Sequence, residues 1–430
     1  MFKLKYNFLA LLQVMISFLN YFLLIKVFGV SDATDAYLIV SAIFSSLLLL
    51  QMFTTEQFIY FYNDIKAKSL ENAYIFYGFA LSIAIMTALG TFIISYLGST
   101  FILHFFINTT DVSRGHLIEL FFNIAIVELL FTPIQSINQK LMNAEMHFTM
   151  PYILNIIPIL FVLVTMMYLY YYQMKNIDLL IYAKVIGAFF TLIISFVIVK
   201  QMSIPIKLSL KHSQLKYFIH NSFTMRFGHN IHNFLFTPIT TNILTALPSG
   251  YASYFYYAMK IATIVNGLVV GPSSNVFQSR FSNEWSHQQI ASAKRILWKY
   301  MRTVVPLITV SSFIGYFLLP SVLHFVSDKF SIESLHMIQI LFMGLMVWQF
   351  IILIESGSVF ILIVENKSKI FIYTNLIFSF MYFGFSNLFL DLFSIYAIIY
   401  SLILAQITNF LIYTYYGKKI LKQRLNLYEA

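Results

Sequence analysis

The sequence has no cysteine, so disulfides and thiolate metal sites are excluded. It is also poor in charge: Asp, Glu, Lys and Arg make up 10% of the residues, where soluble domains carry roughly 25%. A buried core does not explain so large a deficit. No glycine-rich Walker loop is present, which excludes ATP binding by that route. There is no H-E-x-x-H motif either, and no cofactor is expected. No stretch has the composition of a separate soluble domain.

What the chain has instead is apolar length. Hydrophobic residues make up 59% and aromatic residues 18%. After Met1-Phe2-Lys3-Leu4-Lys5 the sequence is apolar from Phe8 to Phe28. That run is too long for a signal-peptide core and has no small-residue cleavage site, so it reads as a retained first helix. A membrane span needs roughly 20 mainly apolar residues. The pattern predicts spans near 8–28, 36–61, 73–97, 117–138, 151–172, 178–199, 216–246, 249–278, 301–326, 334–364, 370–390 and 393–416. The fold class is therefore an all-α polytopic membrane protein of about twelve spans.

The basic residues test this map. Of the 27 Lys and Arg residues, twenty fall on the side of the two termini, and three (Arg114, Lys175 and Lys329) fall on the other. Lys26, Lys184, Arg226 and Lys260 lie within spans. The asymmetry follows the positive-inside rule and predicts cytoplasmic termini in a bacterial inner membrane. The basic run from Lys418 to Arg424 belongs to the same signal rather than to nucleic-acid or lipid-specific binding, and no nucleic-acid partner is expected. Lys26 and Lys184 sit near span ends, where snorkelling accounts for them. The longest outer loop, near 98–116, holds His104, Asp111, Arg114 and His116, which read as solvated residues.

The chain looks duplicated. Thr34-Asp35-Ala36-Tyr37-Leu38-Ile39 opens span 2, and Ala252-Ser253-Tyr254-Phe255-Tyr256-Tyr257 opens span 8, 218 residues later. Asn143-Ala144-Glu145 follows span 4, and Glu365-Asn366-Lys367 follows span 10, 222 residues later. Two parallel six-helix lobes are expected, over 1–210 and 211–430, with substrate at their interface.

Polar side chains on a lipid-facing surface are costly, so polar stripes mark the faces that avoid lipid. Span 7 carries Ser222, Arg226, His229, Asn233, Thr237 and Thr240 at spacings of three and four, which is one helical face. Span 8 carries Ser253, Tyr256, Lys260, Thr263, Gly267, Gly271 and Ser274 in the same way. Span 4 offers Glu128, Thr132, Gln135 and Gln139, and span 1 offers Gln13, Ser17 and Asn20. Small and hydroxylated residues alone would read as helix–helix contacts. Arg226 and Lys260 read differently, because a charge at mid-bilayer costs roughly 2.5–3.5 kcal/mol and usually faces a wet cavity or a partner. A buried pair with Glu128 or Glu355 is the structural alternative. An Arg and a Lys in an aqueous cavity suit an anionic diphosphate head, which a guanidinium grips bidentately. His229 and His232 beside them would titrate near neutrality or hydrogen-bond a sugar. Pro133, Pro158, Pro238, Pro272 and Pro306 lie within spans and permit bends.

Phe28-Gly29-Val30-Ser31-Asp32-Ala33-Thr34-Asp35-Ala36-Tyr37 resembles the helix 1–2 junction of bacterial lipid II flippases. Leu247-Pro248-Ser249-Gly250, followed by Tyr256-Tyr257-Ala258-Met259-Lys260, resembles their helix 7–8 junction. The topology is similar to Wzx-type polysaccharide flippases, and all belong to the multidrug/oligosaccharidyl-lipid/polysaccharide (MOP) flippase superfamily. The resemblance implies a V-shaped pair of lobes and alternating access. It also implies an undecaprenyl-diphosphate-linked glycan carried to the outer leaflet among membrane lipids. Asp35 matches the acidic residue opening helix 2, and Lys260 stands where those flippases have an arginine. Val14, Asn20 and Leu48 stand where they have cavity arginines, and the two additional C-terminal helices of many of them are missing. These departures favour a polyprenyl-diphosphate glycan other than lipid II. The substrate-binding set is therefore Arg226, Lys260, His229, Asn233, Tyr256, Asn20 and Asp35.

Lipid II flipping proper is one alternative. A cation-coupled multidrug exporter is another, and it would use acidic groups such as Glu128 or Asp35. A membrane glycan polymerase or ligase would need a larger outer loop than the chain has. Without ATP the energy would come from an ion gradient, the membrane potential or the substrate gradient. Glu128 is the candidate proton or sodium site, or else the partner of an in-span cation.

Overall fold

The computed structural model describes residues 2–51, 55, 57–212, 218–219, 234–326, 330–365 and 367–429. Those residues form helices and no strands. Nine of the helices are long and apolar enough to cross a membrane, with Leu12–Phe28 and Phe234–Ala246 as shorter apolar helices. The chain divides into two compact units, Met1–Gly250 and Tyr251–Ala430.

Unit 1 contains α1 (Phe2–Phe28), α2 (Asp32–Gln51), α3 (Phe58–Lys68), α4 (Leu70–Leu97) and α5 (Ser99–Phe106). It continues with α6 (Val112–Ala125), α7 (Thr132–Ala144), α8 (Thr149–Tyr171), α9 (Asp178–Gln201) and α10 (Phe234–Ala246). The boundaries follow local chemistry. Gly29 ends α1 at φ 62°, a conformation that glycine adopts without strain, and its N–H returns to Ile25 O. Ser31 then accepts from the Thr34 N–H and starts α2. Ser69 caps α4 through Asn72, and Asp111 caps α6 through Ser113 and Arg114.

Predicted span 4 is interrupted. Between α6 and α7 the chain tightens into a 3-10 turn, Ile126–Leu130. Pro133 follows, and a proline leaves the carbonyl four residues earlier without its helical donor. That carbonyl belongs to Leu129, and it accepts from Gln51 Nε2 at 3.3 Å. In predicted span 2, α2 runs to Gln51 and α3 begins at Phe58 after a bend at Gln57, with residues 52–54 and 56 outside the described residues.

An aromatic core fills one end of unit 1. Phe58, Phe61, Phe76, Phe79 and Phe218 pack together, and His212 stacks on Phe79. The segment leaving α9 lies flat along α4. A Cβ on Gly78 would overlap the Lys207 carbonyl, so only glycine admits this approach. The Ser209 N–H donates to Ser82 Oγ at 3.1 Å.

Unit 2 contains α11 (Tyr251–Ser286), α12 (Ile290–Val326), α13 (Ile332–Val364), α14 (Ser368–Phe393) and α15 (Tyr396–Glu429). Its packing repeats that of unit 1. In unit 1, α2 packs on α6 and α8 on α9; in unit 2, α11 packs on α13 and α14 on α15. Caps recur at a fixed offset: Asp111 and Ser331 open α6 and α13, and Glu145 and Glu365 end α7 and α13. Both closing carboxylates are clamped by one aromatic donor and one cation. Glu145 accepts from Tyr62 Oη and Lys66 Nζ, each at 2.6 Å. Glu365 accepts from Trp285 Nε1 at 2.9 Å and Arg424 Nε at 2.8 Å.

Candidate functional site

The most buried charges of unit 1 sit where α2, α6 and α10 meet. Asp35 has no exposed surface. Its Oδ2 accepts from Arg114 Nη2 at 3.0 Å and from the Gly250 N–H at 2.7 Å. The last carbonyls of a helix have no donor within it and carry partial negative charge. Arg114 supplies those donors for α10: Nη1 reaches Leu247 O at 2.8 Å and Thr245 O at 3.4 Å, and Nη2 reaches Leu244 O at 3.3 Å. Arg114 is therefore not a solvated loop residue; it is 3% exposed and closes the end of α10. His104, Asp111 and His116 are exposed, as expected of that loop. Local hydrogen bonds from Ser113 and Arg114 hold the Asp111 carboxyl below its ordinary pKa.

Glu128 lies on the 3-10 turn and pairs with Lys184 of α9 at 3.1 Å. The Lys184 ammonium also sits 4.3 Å from the centre of the Phe44 ring, a cation–π contact. Snorkelling does not describe Lys184, because its charge is directed at a carboxylate. Asn20 is buried and donates from Nδ2 to Ile159 O at 2.9 Å, which ties α1 to α8. Tyr77 Oη donates to Asn138, and Asn138 donates to Ser195, so a polar chain links α4, α7 and α9.

In unit 2 the first turns of α11 divide by face. Ala252, Phe255, Ala258 and Ala262 are fully buried. Tyr256 and Lys260 are half-buried, and Thr263 and Gly267 are exposed. A Cβ on Gly267 would meet open space. The stripe thus starts from a buried Ser253, is exposed at Thr263 and Gly267, and is partly covered again at Ser274. Arg226, His229, His232 and Asn233 of span 7 lie outside the described residues. Deeper in the unit, Glu355 Oε1 accepts from Gln406 Nε2 at 2.7 Å, and Trp348 Nε1 donates to Gln406 Oε1 at 3.0 Å.

The family model for the lipid II flippase MurJ matches residues 24–429. The chain belongs to the MurJ lipid II flippase family. Solved structures agree in fold. A MurJ lipid II flippase in an inward closed conformation is 18% identical, with a TM-score of 0.76 over 97% of this chain and 90% of that one. An inward-facing multidrug resistance MATE transporter of the MOP superfamily is 11% identical, with a TM-score of 0.75 over 96% of each chain. A MOP superfamily transporter from Pyrococcus furiosus is 12% identical, with a TM-score of 0.62 over 96% of this chain and 94% of that one. No curated protein matches.

As a MurJ-family member the chain is a transporter and not an enzyme. Both junctions that carried the resemblance end on a glycine of positive φ, Gly29 at 62° and Gly250 at 92°. The residues expected at the site divide accordingly. Asp35, Asn20 and Glu128 are committed to contacts within unit 1. Lys260 and Tyr256 keep part of their surface. Sequence reasoning missed the roles of Arg114, Lys184 and Gln51. One signal was available for Gln51: Pro133 guarantees an orphan carbonyl that needs a donor.

Proposed function

We propose that this MurJ-family transporter moves a polyprenyl-diphosphate-linked oligosaccharide from the cytoplasmic to the outer leaflet of the bacterial inner membrane. Its termini are cytoplasmic in this reading, as the 20-to-3 distribution of basic residues requires. The observation that carries the proposal is the state of the in-span charges. Asp35 and Glu128 are paired with the cations Arg114 and Lys184, and Glu355 accepts from the neutral amide of Gln406. Lys260 meanwhile stands on the more open face of α11, one turn from Tyr256. Two of the three acids are thus already neutralised, which suits an anionic cargo better than a cationic drug. Lys260 and Arg226 would bind the diphosphate, with Tyr256, His229 and Asn233 toward the sugar. Asp35 and Asn20 would support the site by fixing the helices around it. Alternating exposure of the cations to the two membrane faces would complete transport.

Lys260→Ala and Arg226→Ala should each abolish glycan export at unchanged protein level, and undecaprenyl-linked glycan should accumulate by mass spectrometry. Normal export in both variants would overturn the assignment. The glycan that accumulates in a deletion strain separates lipid II from another polyprenyl-linked oligosaccharide. Unchanged drug sensitivity in that strain would argue against the multidrug reading. If Glu128 couples transport to protons or sodium, an ionophore should stop transport, and Glu128→Gln should remove that dependence.

A further inference from the structure

Three span ends meet at one corner of unit 2. A cavity of about 220 Å³ lies there, lined by Trp298 and Met301 of α12, Gly357 and Ser358 of α13, and Gly417 and Lys418 of α15. The helices around it pack closely: a Cβ at Gly357 would stand 2.9 Å from Leu297, and one at Gly417 would stand 2.8 Å from Ser358. The lining is mainly apolar, with Lys418 its basic residue. Trp298 is 67% exposed. It shares its face of α12 with Lys294, Arg295 and Arg302, with Lys299 beside it, and all are exposed. Lys418, Lys419 and Lys422 extend the charge from α15, and they too are exposed. Neither Ile290–Thr303 nor Gly417–Arg424 contains an acidic residue. The acid that α13 brings to this end, Glu365, is already neutralised by Arg424.

We propose that this corner is a binding site for an anionic phospholipid. Its phosphate would sit among Lys418, Arg302 and Lys299, Trp298 would lie at headgroup level, and an acyl chain would enter the cavity. Charge complementarity selects this occupant. An exposed indole flanked by cations at the end of apolar spans matches the interfacial zone of a bilayer. A zwitterionic lipid, with no net charge, would gain less from so basic a surface. The topology signal accounts for lysines at this end but not for a cavity beside an exposed indole. The site is separate from the transport residues proposed above and does not depend on them.

Native mass spectrometry of the full chain tests this, with phosphatidylglycerol and phosphatidylcholine offered at equal concentration. Wild type should retain phosphatidylglycerol preferentially. Each cation removed should weaken retention about five-fold, so Arg302→Ala/Lys418→Ala should lower it about 25-fold. Ile354→Trp fills the cavity mouth from a partly exposed position and should lower retention with every charge intact. Lys68→Ala, on α3 of unit 1, should change nothing. Equal retention of both lipids by wild type would overturn the site, as would an unchanged preference in the double variant. Loss in the double variant with full retention in Ile354→Trp would also overturn it, because it would indicate diffuse attraction to a basic surface. A dimer in place of the bound lipid would assign the corner to a second copy of the chain.

Discussion

The Asp35–Arg114 pair makes the strongest stability prediction. Replacing Arg114 with methionine keeps much of the side-chain volume but leaves Asp35 a buried carboxylate without its guanidinium. It also removes the donors that Leu244, Thr245 and Leu247 use. Asp35→Asn leaves the reverse problem, a guanidinium 3% exposed and without a counter-charge. Breaking one side of a buried pair costs about 3–5 kcal/mol. In a unit of 250 residues, each kcal/mol shifts the melting midpoint by about 2–4 °C, so each single variant should lose about 6–20 °C. Both singles remove the same interaction, so the double variant Asp35→Asn/Arg114→Met should lose far less than their sum. The measurement is thermal unfolding in detergent, followed by a fluorescence reporter of exposed core. Single shifts under about 2 °C, or strict additivity, would refute the view that this pair holds α2, α6 and α10 together.

Other consequences are simpler to check. Gly78→Val should displace the segment around Lys207 from α4, and limited trypsin digestion should then cut at Lys207 and Lys211 sooner than in wild type. Gln51→Leu should lose about 1–2 kcal/mol, because Leu129 O then has no donor. Adding Pro133→Ala should recover most of that loss by restoring the helical bond, as read from denaturation midpoints. The two terminal clamps should respond to acid. Burial pushes the Glu145 and Glu365 carboxyls up, but the hydrogen bonds from Lys66 and Tyr62, and from Arg424 and Trp285, outweigh it and hold both below the ordinary range. A depressed carboxyl stabilises the fold above its unfolded value and loses that contribution as pH falls through its folded value. Melting midpoints should therefore be flat near neutrality and decline below about pH 4. Glu145→Gln/Glu365→Gln should show a smaller decline.

The fold was legible because the apolar runs needed no tertiary information. Predicted spans 6 and 10, at 178–199 and 334–364, correspond to Asp178–Gln201 and Ile332–Val364. Hydrophobicity measures length along the chain, so it also passed over breaks that keep their apolar character. The 3-10 turn at Ile126–Leu130 is of this kind. Glu145 and Glu365 each end a helix, 220 positions apart, where the letters alone align Asn143 with Glu365 at 222. Pairings were less legible. Lys184 and Glu128 are 56 positions apart, and no periodicity on either helix says that their faces meet. Arg114 was misplaced for a related reason. An outer loop is ordinarily wet, but this one folds its guanidinium onto the end of α10, a neighbour that sequence order does not bring near.

The two clamps differ in where their cations originate. Glu145 takes its ammonium from Lys66, on the same short helix as its phenol partner Tyr62. Glu365 depends on Arg424, close to the end of α15. Trimming the tail before Arg424, or stiffening it with a fused reporter, would strip the charge from one half of the duplication and spare the other. Any such shortened or tagged version would be a lopsided molecule, and its altered stability would report on unit 2 alone.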